Sequence, residues 1–172
     1  LDAIETAPVI AMNASLSADY TEGGKVAASG QAAWDEKNLY VLMNVTDPWL
    51  SDASPNSYEQ DSVEIFVDET NNREPVYDDD DHHYRVNYKG VLTIDAGFET
   101  VTAAVNQTDT GFTALFTMPF TAIEAEAGTK LGFDLRYNDA APDGVRRLVN
   151  FADASDTGWN DPTVFGLLEL VK

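Results

Sequence analysis

The stretch Ser62-Val63-Glu64-Ile65-Phe66-Val67-Asp68, led in by Tyr58-Glu59-Gln60-Asp61, alternates Val63, Ile65 and Val67 against Glu64 and Phe66. A period of two is the pattern of a β-strand, whose successive side chains leave on opposite faces. After a loop, Asp78-Asp79-Asp80-Asp81-His82-His83 leads into Tyr84-Arg85-Val86-Asn87-Tyr88, with Arg85 and Asn87 on one side and Tyr84, Val86 and Tyr88 on the other. If the two strands pair, a carboxylate and a guanidinium share one sheet surface beside an aromatic ring.

Outward from this pair the chain keeps offering strands separated by turn residues. Leu39 to Val45 is apolar on both faces, as expected of a central strand, and Asp47-Pro48-Trp49 ends it because proline cannot donate to a ladder. Val101 to Val105 and Gly111 to Met118 read as a hairpin turning at Asn106 to Thr110. Leu131 to Asn138 sets Leu131, Phe133, Leu135 and Tyr137 against Gly132, Asp134, Arg136 and Asn138, and Leu148 to Phe151 and Phe165 to Val171 complete the set. Pro119 to Ile123 is compatible with a single helical turn, and no amphipathic helix of ten residues is visible. Leu1 to Ile10 and Asn13 to Gly30 lack periodicity, with Gly23-Gly24 marking a turn. The pattern predicts an all-β antiparallel β-sandwich with functional loops at its ends.

The 172 residues suit one domain, able to bury roughly 70 per cent of the unfolded chain's surface. A formal charge of -20, from 30 acidic against 10 basic residues, opposes binding to nucleic acid or an anionic membrane. It suits calcium, a hard cation that takes oxygen ligands, and equally plain solubility. Without cysteine there is neither a disulfide nor a thiolate metal site. No apolar run approaches a membrane span, and the abrupt Leu1-Asp2-Ala3-Ile4 reads as a module cut from a longer protein.

The surface shared by Glu64, Arg85 and Asn87 has the chemistry of sugar recognition: planar groups for hydroxyls, with the Tyr58 ring for the apolar C–H face of a pyranose. The same residues also read as a cross-strand ion pair on a solvated face. Trp159, in the loop Asp156-Thr157-Gly158-Trp159-Asn160-Asp161-Pro162, either plugs the core or exposes its ring to a ligand, whereas Trp34 and Trp49 sit at strand margins suited to core packing. Asp47 and Asp61 bracket a loop whose ends a calcium ion would tie, or they cap a turn and a strand start. The run Asp78 to Asp81 is a second candidate ion site or a solvated loop. Adjacent His82 and His83 face opposite ways and cannot share a metal. No hydrolase, zinc-protease, dinucleotide or P-loop motif occurs.

Together, Ala33-Trp34-Asp35-Glu36-Lys37-Asn38-Leu39-Tyr40-Val41, Val45-Thr46-Asp47-Pro48, the Glu59 to Asp68 and Tyr84 to Tyr88 strands, Gly132-Phe133-Asp134 with Asn138-Asp139, and Trp159-Asn160-Asp161-Pro162 with Phe165-Gly166 resemble the family 9 carbohydrate-binding modules attached to bacterial xylanases. The resemblance spans Gln31 to Lys172. It implies a non-catalytic, secreted or cell-surface module that grips the reducing end of a glucan or xylan chain and targets a linked hydrolase. Tyr58 and Trp159 would then be the aromatic clamp, Tyr58 replacing a tryptophan. Glu64 and Arg85 match residues that hydrogen-bond the terminal sugar, Asp156 replaces an asparagine with that role, and Asp47 and Asp61 match ligands of a structural calcium. The resemblance also implies a longer N-terminal strand, whose shortening here would leave a sheet edge unpaired or covered by the parent protein. Two rival readings are a haem-binding electron-transfer sandwich using Met43, Met118 and His83, and a glycoside hydrolase using a carboxylate pair.

Overall fold

The computed structural model describes residues 2–15, 26–142 and 144–171. Its strands are β1 (Ile10–Ala11), β2 (Ala14–Ser15), β3 (Ala27–Trp34), β4 (Asn38–Thr46), β5 (Ser62–Asp68), β6 (Asp81–Asn87), β7 (Leu92–Ala96), β8 (Thr102–Thr108), β9 (Gly111–Pro119), β10 (Lys130–Ala140), β11 (Arg146–Asn150) and β12 (Gly166–Glu169). A one-turn helix, α1 (Asp2–Glu5), and two short 3-10 turns (Ser57–Glu59 and Pro162–Val164) are the helical elements among the described residues.

The strands form two antiparallel sheets, one ordered β1-β3-β4-β9-β8 and the other β2-β11-β10-β5-β6-β7, with β12 beside the first half of β10. Their inner faces meet through the alternating apolar residues that the sequence marks. Val41, Met43, Phe112, Phe116, Val63, Ile65, Leu131, Leu135 and Tyr137 are all fully enclosed. The outer face of the second sheet is buried along its middle, where every residue of β5 and β6 is buried. Loops roof it: Phe165 packs on Phe66 at 5.7 Å between ring centroids and Tyr77 meets Phe165 at 6.3 Å.

Four expectations change. β3 lay in a stretch with no apolar rhythm because small residues are required there. A Cβ on Gly30 would come within 2.3 Å of Leu135 Cδ1 across the core. No helical turn follows Pro119, because the amides of Thr121 and Ala122 are held by the Glu69 carboxylate at 2.9 and 2.8 Å. The hairpin between β8 and β9 is tighter than Asn106 to Thr110, its ladder running out to Thr108 opposite Gly111. Trp49 is 56% exposed rather than packed, whereas Trp34 lies against the core. Gly23-Gly24 lies outside the described residues. At the edge of β3, β1 supplies a two-residue ladder, and the Gln31 amide donates to the carbonyls of Ile4, Glu5 and Ala7 at 2.9 to 3.1 Å.

Candidate functional site

Register alone assembles the floor of the site. Arg85, Glu64 and Arg136 are direct cross-strand partners on β6, β5 and β10, so they form one row on the outer face of the second sheet. They are 5%, 1% and 2% exposed. Glu64 accepts from Arg85 Nε at 3.0 Å, from Asn138 Nδ2 at 2.6 Å and, through its other oxygen, from His83 Nε2 at 2.6 Å. Burial would raise the Glu64 pKa, but the His83 bond and the charges of His83, Arg85 and Arg136 outweigh it and hold the carboxyl well below the usual range. An ionised Glu64 can only accept, so His83 carries its proton on Nε2. A carboxylate has about four acceptor positions, so three bonds leave about one on Glu64, which lines the cavity.

A register shift between β6 and β7 at His83/Tyr84 places Asp95 at 2.9 Å from Arg85 Nη2. Arg85 Nη1 donates to Ser57 Oγ at 2.9 Å, which seats the 3-10 turn bearing Tyr58. On the far side Arg136 donates to Asp153 at 3.1 Å and pairs with Asp156 at 2.8 Å. Asp153 accepts from the amides of Ser155 and Gly158, and Tyr77 donates to the Gly158 carbonyl at 2.7 Å, so the loop presenting Trp159 is fixed from both sides.

Above this floor is a cavity of about 550 Å³ lined by Tyr58, Glu64, His83, Arg85, Asp95, Arg136, Arg146, Asp156 and Trp159. Tyr58 and Trp159 line it at 45% and 58% exposure. Arg146 lies 5.7 Å from the Tyr58 ring centroid, a cation–π contact that steadies the ring. Five residues singled out in the sequence therefore converge here: Tyr58, Glu64, Arg85, Asp156 and Trp159. Asn87 lies on the same face but outside the cavity. Its amide donates to Gln60 and its oxygen accepts from the amides of Lys89 and Val91, which braces the Tyr58 loop. Asp95, Arg136 and Arg146 were not singled out, although the alternation of β10 already put Arg136 on the outer face, and His83 was weighed only as a haem ligand in the rival reading.

Asp47 and Asp61 also meet, joined by Asp139, in a buried cluster whose ligand oxygens lie within 4.8 Å of one another. The Tyr137 hydroxyl is 2.6 Å from both Asp47 and Asp61, yet it has a single proton to donate. Burial, opposed by the bonds from Tyr137, Ala140 and Ser51, pushes the Asp61 pKa up to about 6. Three buried carboxylates in contact repel one another, and an all-oxygen donor set of this kind is able to hold a hard cation. Asp61 is also tied to Ser51 by backbone and side-chain bonds, so the cluster closes the base of the Tyr58 loop. In the run Asp78 to Asp81, Asp78 and Asp80 are bonded to Asn72, and Asp80 also accepts from Thr70.

The rival sites do not assemble. Met43 and Met118 are core residues of β4 and β9, while His83 is stacked on Phe66 at 4.3 Å on the outer face of the other sheet. A glycosidase acid needs a raised pKa, yet the raised carboxylates that reach about 6 (Asp61, Asp81 and Asp134) do not line the cavity.

Residues 2–172 match the family described as "Carbohydrate family 9 binding domain-like". Over 149 residues the chain is 42% identical to "Exoglucanase XynX" of Acetivibrio thermocellus, covering 83% of this chain and 13% of that protein. It is 38% identical over 151 residues to "Endo-1,4-beta-xylanase A" of Thermotoga maritima, covering 84% of this chain and 14% of that protein. A family 9 carbohydrate-binding module from Caldicellulosiruptor kristjanssonii solved with cellotriose superimposes with a TM-score of 0.92 at 31% identity, over 99% of this chain and 86% of that one. The same module solved with glucose gives 0.91 at 31% identity, over 99% and 87%. The aromatic-flanked pocket thus sits on a fold and sequence that both lead to one family: the chain belongs to the family 9 carbohydrate-binding modules and is a non-catalytic binding domain.

Proposed function

We propose that the module grips the end of a plant cell-wall glucan or xylan chain in the Tyr58–Trp159 pocket and so targets a linked glycoside hydrolase to polysaccharide. The observation that carries this is the pairing of two half-exposed rings over a buried ionic floor. The rings stack on the apolar faces of the sugar, while Glu64, Arg85 and Asp156 meet its hydroxyls. The sheet closes the pocket below, which favours an end over the middle of a chain. The vacant acceptor position on Glu64 suits a strong donor such as an anomeric hydroxyl, and this selects the reducing end. Related modules solved with cellotriose and glucose support a glucan, and the xylanases among the relatives support xylan as well as attachment to a catalytic domain.

The same reading assigns calcium to Asp47, Asp61 and Asp139, where it would offset their repulsion and fasten the Tyr58 loop. A ligand too large to enter a cell places the module outside it, secreted or on the cell surface. Titration calorimetry with cellobiose and xylobiose tests the proposal. We expect binding by the wild type and at least about fivefold weaker binding by Trp159→Ala and Tyr58→Ala, each stripped of a ring worth about 1 kcal/mol or more. Unchanged affinity in both variants would refute the clamp.

A further inference from the structure

The nine residues lining the pocket include three guanidinium groups, on Arg85, Arg136 and Arg146, and three carboxylates, on Glu64, Asp95 and Asp156. Three arginines in a pocket ordinarily invite an anion, but here each is already engaged. Arg85 binds Glu64, Ser57 and Asp95. Arg136 binds Asn150 through Nε at 3.2 Å, Asp153 through Nη2 and Asp156 through Nη1. Arg146 binds the Asn138 oxygen through Nε and Nη2 at 3.0 and 2.6 Å, and its Nη1 is 3.6 Å from Asp156 Oδ2. One carboxylate, Asp156, thus bridges two guanidiniums.

Asp156 and Asp95 are the lining carboxylates exposed at the mouth, with side chains 37% and 35% exposed against 1% for Glu64. Asp95 pairs with one of the three arginines, Arg85, whereas Asp156 pairs with two, of which Arg136 is 2% exposed. Its backbone is left-handed, at φ 59°, a conformation that aspartate and asparagine adopt more readily than other non-glycine residues. Bonds donated by the Ser155 and Gly158 amides to the Asp153 carboxylate hold the loop in this form.

We propose that Asp156 is a built-in anion that occupies the arginines a charged sugar would need, so that the pocket admits uncharged chain ends and rejects uronic acids. Position 156 is therefore the residue that sets selection by charge. An incoming carboxylate would have to displace Asp156 from Arg136 and Arg146 or lie beside it, and either costs affinity. The chain's formal charge of -20 adds a weaker repulsion that salt screens. Replacing Asp156 by asparagine leaves three arginines against two lining carboxylates and relaxes the exclusion.

This inference rests on the sugar-binding reading, and the test separates the two. Wild type and Asp156→Asn are titrated with cellobiose, glucose, sodium glucuronate and glucuronamide, the last matching glucuronate in size without its charge. Asparagine keeps the shape and tolerates the left-handed backbone, and thermal melting confirms folding. In the wild type we expect glucuronate to bind at least about tenfold more weakly than glucuronamide, and we expect Asp156→Asn to shrink that ratio to about threefold or less. Added sodium chloride should leave most of the wild-type discrimination in place, because a partly buried ion pair is screened less than the surface field. Equal binding of glucuronate and glucuronamide by the wild type, or the same ratio in both proteins, overturns the inference and leaves sugar binding intact. Failure of the wild type to bind cellobiose or glucose overturns the sugar-binding reading and this one with it.

Discussion

Glu64 accepts from His83, Arg85 and Asn138 while 1% exposed, so Glu64→Gln removes the charge to which a buried guanidinium and imidazole are matched. The expected loss is about 3–5 kcal/mol of folding stability, the usual result of breaking a buried pair from one side, together with loss of sugar affinity. Denaturant unfolding and calorimetry measure the two effects. Trp49 provides the contrast, since it is 56% exposed and does not line the pocket. Trp49→Ala should change stability by no more than about 0.5 kcal/mol and leave cellobiose binding as it was. Tyr58, Glu64, Arg85 and Trp159 were legible because an aromatic ring in a polar loop, or a charge alternating with core residues, stands out in a single stretch, whereas Asp156 was reached only through the family resemblance. His83, Asp95, Arg136 and Arg146 were not, because their roles depend on which strand lies beside which. Asp139 joins Asp47 and Asp61 only once β10 is placed next to β5.

At the scale of elements, alternation located β4, β5, β6, β9 and β10, the strands that carry the core, because each buries one or both faces in a regular rhythm. It could not locate β3, whose inward Ala28, Gly30 and Ala32 are small residues packed against the core. Gly30→Ala tests that account. Its methyl would meet Leu135 Cδ1 at 2.3 Å, and although the leucine end can shift, overpacking of this kind costs about 1–3 kcal/mol in thermal or denaturant melts. The segment after β9 shows the complementary failure. Proline followed by apolar and small residues resembles a helix start, but a distant carboxylate, Glu69, takes the amides of the bend at Thr121 and Ala122 and keeps the chain out of a helix. A side chain 52 residues away in sequence is invisible to local pattern.

For the whole molecule, the buried cluster of Asp47, Asp61 and Asp139 links stability to pH, and the proposed calcium ion would link it to that metal, each with a definite sign. Asp61, raised from 3.8 to about 6 in the folded chain, holds a proton more tightly folded than unfolded. The stability that this gives is complete below the unfolded value and is lost as pH rises through about 6. Asp81 and Asp134, also raised to about 6 by burial, act in the same direction. Glu64, Glu69 and Asp153 are lowered, so their contribution is lost only as pH falls below the ordinary carboxylate range. In chelator the melting temperature should therefore fall between about pH 5 and pH 7. Calcium should raise it more at pH 7, by about 3 kcal/mol of stability at a hundredfold excess over its dissociation constant. A melting temperature indifferent to calcium at both values would remove the ion from the account.

The claim on which the rest depends is that a chain end is held between Tyr58 and Trp159 over the ionic floor. Its most direct test is a calorimetric comparison of cellobiose with cellobiitol, the same disaccharide with its terminal ring opened by reduction. The account predicts that cellobiose binds and that cellobiitol binds at least about tenfold more weakly, having lost a stacked ring and the anomeric hydroxyl that Glu64 accepts. Equal affinity for the two would contradict it, since the pocket would then hold some part of the sugar other than its reducing end.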